Sequence, residues 1–169
     1  MATITFKGNP IHTCGEPPQA GATAPDFRLV RQDLSEATLA DFPGRKILNV
    51  FPSIDTPVCA TSVKVFHEKA ADLEGVTVLN ISADLPFAQK RFCGDAGVDN
   101  AVTLSCFRSD FARDYGLRIE DGPLAGLCAR AVLVLDEENR VLHTELVPEI
   151  AQEPDYPAAL AALGSGAAA

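Results

Sequence analysis

The segment from Ile47 to Cys59 constrains this chain more than any other. Ile47 to Phe51 is an apolar run of strand length, and Pro52 ends it. Thr56-Pro57 then reads as a helix start, with Thr as N-cap and Pro at the first helical position. The next apolar residues, Val63, Phe66, Ala70 and Leu73, recur every three or four positions and share one helical face with Cys59. A buried strand feeding such a helix is the start of a layered α/β fold. It also places Cys59 in a first turn, where unpaired N–H groups and the positive end of the helix dipole favour a thiolate.

The rest of the chain extends this pattern. Thr3–Phe6 and Ile11–Thr13 flank Gly8-Asn9-Pro10 and read as an N-terminal hairpin. Residues 14–25 read as loop and Phe27–Val30 as a short strand. Leu39–Gly44 leads into the Ile47–Phe51 strand, and Gly75 closes the helix that carries Cys59. Val76–Ile81 is the next strand, apolar enough for mid-sheet. A second helix begins at Asp84-Leu85-Pro86 and carries Phe92 and Cys93 to Gly94. Val102–Leu104 reads as a strand, Phe107–Tyr115 as a helix closed by Gly116, and Ala131–Leu135 as a strong strand. Glu137-Glu138-Asn139 turns the chain into the alternating Val141–Leu146, and Pro157–Leu163 is a last helix. The expected fold is one α/β domain over residues 1–163, with a central mixed sheet and helices on both faces. Residues 164–169 read as a flexible tail.

Composition narrows the partners. A net charge of −9 and a pI near 4.7 disfavour nucleic acid and anionic membrane. No apolar stretch approaches the ~20 residues of a membrane span, and the N-terminus lacks the pattern of a signal peptide, so a cytoplasmic location is expected. Cys14, Cys59, Cys93, Cys106 and Cys128 are odd in number and widely spaced. With no CxxC among them, a zinc ribbon or a vicinal dithiol is disfavoured. His12, His67 and His143 have no ligand spacing and read as surface or packing residues. Phe87 and Phe92 read as core or as the rim of a substrate entrance.

Pro52-Ser53-Ile54-Asp55-Thr56-Pro57-Val58-Cys59 resembles the PxxxTxxC motif of the peroxiredoxins. Ala24-Pro25-Asp26-Phe27 resembles a segment common near their N-terminus. Phe51–Ser62, Asp84–Cys93, Gly122–Asp136 and the hairpin are similar to the bacterial thiol peroxidase subgroup. The likeness spans roughly residues 3–163. It implies a thioredoxin-like fold, a homodimer, and reduction of hydroperoxides by an atypical two-cysteine scheme in one subunit. By motif match Cys59 is the peroxidatic cysteine, Cys93 the resolving cysteine and Arg130 the active-site arginine, while Thr56 and Pro52 shape the pocket. The resemblance also implies thioredoxin as reductant, a Cys59–Cys93 redox disulfide and no metal or organic cofactor. Pro57 departs from the small residue common in relatives but suits a helix start. Cys14, Cys106 and Cys128 match no functional position and read as core filling.

The chemistry explains why such residues belong together. Only ~3% of an ordinary cysteine of pKa ~8.5 is thiolate at pH 7. Complete ionisation therefore gains only ~30-fold, about 2 kcal/mol. The rest must come from holding the peroxide in line and from donors aimed at the breaking bond. Arg130 can donate without losing its charge, and Thr56 can reach sulfur or peroxide from the same side of the first turn. Three alternatives remain open at this point: a binding or chaperone module with inert thiols, a secreted domain stapled by disulfides, and a one-cysteine peroxidase.

Overall fold

The computed structural model describes residues 1–168, with side chains described for residues 1–164. Nine strands and four helices follow in the order β1 Thr3–Phe6, β2 Asn9–His12, β3 Leu29–Val30, β4 Glu36–Ala37, β5 Arg45–Val50, α1 Pro57–Ala70, β6 Val76–Ser82, α2 Pro86–Ala96, β7 Val102–Ser105, α3 Phe111–Asp114, β8 Ala131–Leu135, β9 Val141–Leu146 and α4 Tyr156–Ala168. β1 and β2 form the antiparallel N-terminal hairpin. The other strands form one mixed sheet in the order β4-β3-β7-β6-β5-β8-β9. Its centre is parallel, with β5 beside β6 and β6 beside β7, and its flanks are antiparallel.

Alternation along β5 divides the core. Leu48 and Val50 face a cluster with Leu79, Ile81, Leu133, Phe111 and Tyr115, which the hairpin covers through Ile4 and Ile11. Ile47 faces the opposite way, against Phe66 of α1 and Ala159 and Leu163 of α4. Phe51 and Ile54 continue past the strand into a third cluster with Cys59, Val63 and Phe92. Asn49 interrupts the apolar run because it pairs in register with Asn80 of β6, and its amide donates to Asn80 at 3.0 Å and to Ser62 of α1 at 3.2 Å. That buried polar tie fixes the helix on the sheet.

Several boundaries differ from expectation, each for a local reason. α1 ends at Ala70, and Gly75 instead supplies a left-handed turn into β6 at φ 70°. α2 runs past Gly94 to Ala96, where Gly97 at φ 73° caps it. The helix expected over Phe107–Tyr115 shrinks to the single turn of α3. The Ser105 and Ser109 hydroxyls accept from the N–H groups of Phe107 and Phe111, a competing local geometry. The face opposite α1 and α4 is therefore covered by α3, long loops and the hairpin rather than by a full helix. β4 is a strand that the sequence pattern does not mark, and a 3-10 turn at Leu39–Asp41 stands within the expected Leu39–Gly44 lead-in. The last helix continues beyond Leu163 to Ala168, through most of the segment read as a tail; Ala169 lies outside the described residues.

Candidate active site

The site is assembled where β5 ends and α1 begins. Cys59, fully buried in the first turn of α1, accepts a hydrogen bond at Sγ from Arg130 Nη2 at 3.2 Å. Arg130 precedes β8 and is 2% exposed. Its Nε donates to the Ile150 carbonyl at 2.8 Å, while Nη1 is buried without a protein partner. The guanidinium plane is thus held at one end by backbone, touches sulfur with a second nitrogen, and keeps a third donor in reserve. The hairpin contributes indirectly. Thr5 exchanges backbone hydrogen bonds with Pro148 and Ile150, and Gly8 N–H donates to the Glu149 carboxylate, so the carbonyl that aims Arg130 is itself anchored.

A cavity of about 240 Å3 opens beside this pair, bounded by Pro52, Val58, Arg130 and the apolar side chains of Phe6, Leu124 and Leu127. Thr56 and Pro57 also line it. The structure therefore gathers Cys59, Arg130, Pro52 and Thr56 at one place. Thr56 holds the extended N-cap backbone at φ −99° and ψ 148°, but its hydroxyl donates to the Ser53 carbonyl at 2.9 Å. Contrary to the sequence expectation, it neither caps the helix through its side chain nor reaches the sulfur, because the turn from Ser53 offers a nearer acceptor.

Cys93 stands apart from these four. It is 1% exposed on α2, and its Sγ accepts a 3.5 Å contact from Gln32 Nε2. Burial pushes its thiol above the ordinary range, with the Gln32 bond pulling the other way. Cys59 and Cys93 are both free thiols, and Phe92 packs into the cluster that holds Cys59. Phe87, by contrast, is exposed and neither fills the core nor lines the cavity. No histidine lines the cavity; His12 instead pairs with Asp121 on the surface at 2.6 Å. Among the described residues no cluster of His, Cys, Asp or Glu has the makings of a metal site.

The residue that sequence reasoning missed is Asp84. Its carboxylate accepts from the Ile54 N–H at 2.6 Å, the Ser53 hydroxyl at 2.7 Å and the Ser82 hydroxyl at 2.6 Å. It therefore ties the loop before α1 to the end of β6. Arg91 of α2 adds a 2.8 Å ion pair to Asp55 in the same loop. An acidic residue just after an apolar strand, three positions past Ile81, was the available signal. Asp84→Ala leaves the buried Ile54 N–H without its acceptor. The expected loss is about 2–3 kcal/mol, read as a melting point lower by roughly 5–10 °C in calorimetry. Asp84→Asn retains an acceptor and is expected to recover part of it.

Comparison with known proteins decides what this arrangement belongs to. Thiol peroxidases from Mycobacterium bovis and Mycobacterium tuberculosis are each 57% identical to the chain over 166 residues, covering 98% of it and 100% of each relative. The Redoxin family matches residues 19–160. The chain belongs to that family, as a thiol peroxidase of the peroxiredoxins. The structure of a peroxiredoxin-like protein from Aquifex aeolicus superposes with a TM-score of 0.90 at 38% identity, over 98% of both chains. A thiol peroxidase from Chromobacterium violaceum shares the fold at a TM-score of 0.91 and 23% identity, over 99% of this chain and 98% of that one. The expected thioredoxin-like α/β architecture and the peroxidase activity both stand. None of the enzyme's described helices is long and apolar enough to cross a membrane.

Proposed function

We propose that this peroxidase reduces hydrogen peroxide and organic hydroperoxides to water and alcohols at Cys59. The sulfur attacks the near peroxide oxygen, the O–O bond breaks, and Cys59 becomes a sulfenic acid. Cys93 then displaces the hydroxyl as water to form an intrasubunit Cys59–Cys93 disulfide, which thioredoxin reduces by thiol exchange. The observation that carries this proposal is the Arg130 fork, with Nη2 on the Cys59 sulfur, Nη1 buried without a partner, and the residue lining an apolar-walled cavity. A donor already in place strengthens as charge develops on oxygen, with no reorganisation during the step. Pro52 and Val58 keep bulk water from the sulfur, and the apolar walls suit the carbon chain of an organic hydroperoxide.

Resolution demands movement. Cys59 rests on Arg130 and Cys93 on Gln32, both buried. Withdrawal of Phe92 from the Cys59 cluster would unwind the end of α2 and free Cys93 to approach. The proposal extends to a homodimer working in the cytoplasm, with the exposed Leu85, Phe87 and Phe107 supplying apolar surface for contacts.

The test is Cys93→Ser under two regimes. One equivalent of peroxide should still be consumed at close to the native rate. Multiple turnover driven by thioredoxin and its reductase should fall to about 1% or less. Full turnover in the variant would leave a one-cysteine scheme in its place. Failure of thioredoxin to support turnover of the native enzyme would remove the proposed reductant.

A further inference from the structure

Two cysteines lie outside the chemistry described so far. Cys106 follows β7 and Cys128 precedes β8, and their sulfurs are 3.7 Å apart with a hydrogen bond between them. The two segments are fixed independently. Cys106 N–H donates to the Ser82 carbonyl, while the residues flanking Cys128 pair with Leu117 and Ile119. The contact is therefore set by the fold rather than by one flexible loop. We infer that Cys106 and Cys128 are a second oxidation site, closing to a disulfide at the expense of a hydroperoxide, separate from Cys59 and Cys93.

Closure needs the sulfurs to approach from 3.7 Å to about 2.05 Å, a movement that small adjustments of both segments can share. Cys106 is the entry point. It is 6% exposed whereas Cys128 is fully buried. The hydrogen bond between them also lowers the Cys106 thiol below its ordinary range, while the same contact and burial raise Cys128. Cys106 attacks the peroxide, its S–O bond forms as O–O breaks, and the alcohol or water leaves with a proton. Cys128 then attacks the Cys106 sulfur and the hydroxyl departs as water. Two thiols lose two electrons and one hydroperoxide gains them.

The position gives the bond a consequence. Cys128 is two residues from Arg130 and adjacent to Leu127 of the cavity wall. Cys106 follows Ser105, whose hydroxyl donates to the backbone carbonyl of Asp84. The cross-link would join the segment that carries the guanidinium to the one that steadies the Asp84 anchor. No such hydrogen-bonded pairing exists at Cys14, whose sulfur donates only to the carbonyls of Ala112 and Arg113 among the described residues.

Peptide mapping tests this on the full chain. The reduced protein is exposed to hydrogen peroxide from one equivalent to large excess without reductant, alkylated in denaturant, and digested with trypsin and an Asp-directed protease. Cleavage at Asp95 and Asp99 separates Cys93 from Cys106. The expected map shows Cys59 joined to Cys93 first and Cys106 joined to Cys128 at higher dose, leaving Cys14 as the free thiol. In Cys106→Ala, Cys128 should stay alkylatable at every dose while the Cys59–Cys93 link forms as before. Cys106 and Cys128 both alkylated at excess peroxide would overturn the inference, as would sulfinic acid at either one or a link from Cys106 to Cys93 or Cys14. Because both pairs are read in one map, loss of the first link and loss of the second are separate results, and the native map decides even if the variant does not fold.

Discussion

Cys59→Ser is expected to lower peroxide consumption by about 10^4-fold or more, roughly 5.5 kcal/mol of barrier. Oxygen cannot take the place of the larger, softer sulfur as the nucleophile, and a serine hydroxyl stays protonated at neutral pH. The remaining apparatus should not compensate, because on the proposed mechanism Arg130 and the cavity would position and polarise a peroxide that then has no attacker. The substitution changes one atom at a fully buried site, and the new hydroxyl can accept the Arg130 Nη2 donor. Stability should therefore move by no more than about 1–2 kcal/mol. Peroxide loss measured with dithiothreitol as reductant checks the rate independently of any protein reductant, and thermal unfolding checks the fold. Unchanged peroxide consumption would place the chemistry at another sulfur.

Much of this arrangement is legible in the sequence, and the reason is physical. β5, β6 and β8 are covered on both faces, so Ile47–Val50, Val76–Ile81 and Ala131–Leu135 announce themselves as apolar runs. α1 is legible because its period and its Thr56-Pro57 start agree. Asn49 and Asn80 are polar breaks in adjacent apolar strands, a sign that each has a buried partner, though only the register shows that it is the other. α3 was overestimated because helical periodicity over Phe107–Tyr115 does not register the serine hydroxyls that claim its first N–H groups. The site divides the same way. Cys59 is readable from its local string, whereas Arg130 and Cys93 drew their roles from family likeness. Asp84 carries a local signal but its partners do not, and like the Ile150 carbonyl and the Cys106–Cys128 contact they join segments far apart in sequence, pairings that no local pattern encodes.

Arg130→Met should separate activity from stability. The substitution removes both the donor on the Cys59 sulfur and the buried, unpartnered Nη1. One preorganised donor aimed at developing charge is typically worth about 10^2–10^3-fold in rate, so a fall of that size or somewhat more is expected. Stability should hold or rise. The guanidinium is 2% exposed, and no carboxylate stands within ion-pair distance of it among the described residues, so its desolvation is met only by one carbonyl and one sulfur. A methionine of similar length removes that penalty and packs against Leu127 and Val58. Arg130→Lys distinguishes charge from shape. Its ammonium keeps the positive charge but cannot hold the Ile150 carbonyl, touch the sulfur and present a third donor in one plane. If the fork matters, the lysine enzyme should recover little of the lost rate. If charge alone matters, it should approach the native value. Single-turnover peroxide reduction and calorimetry on the three proteins read both quantities. A methionine variant with native rate would show that the buried guanidinium serves structure alone.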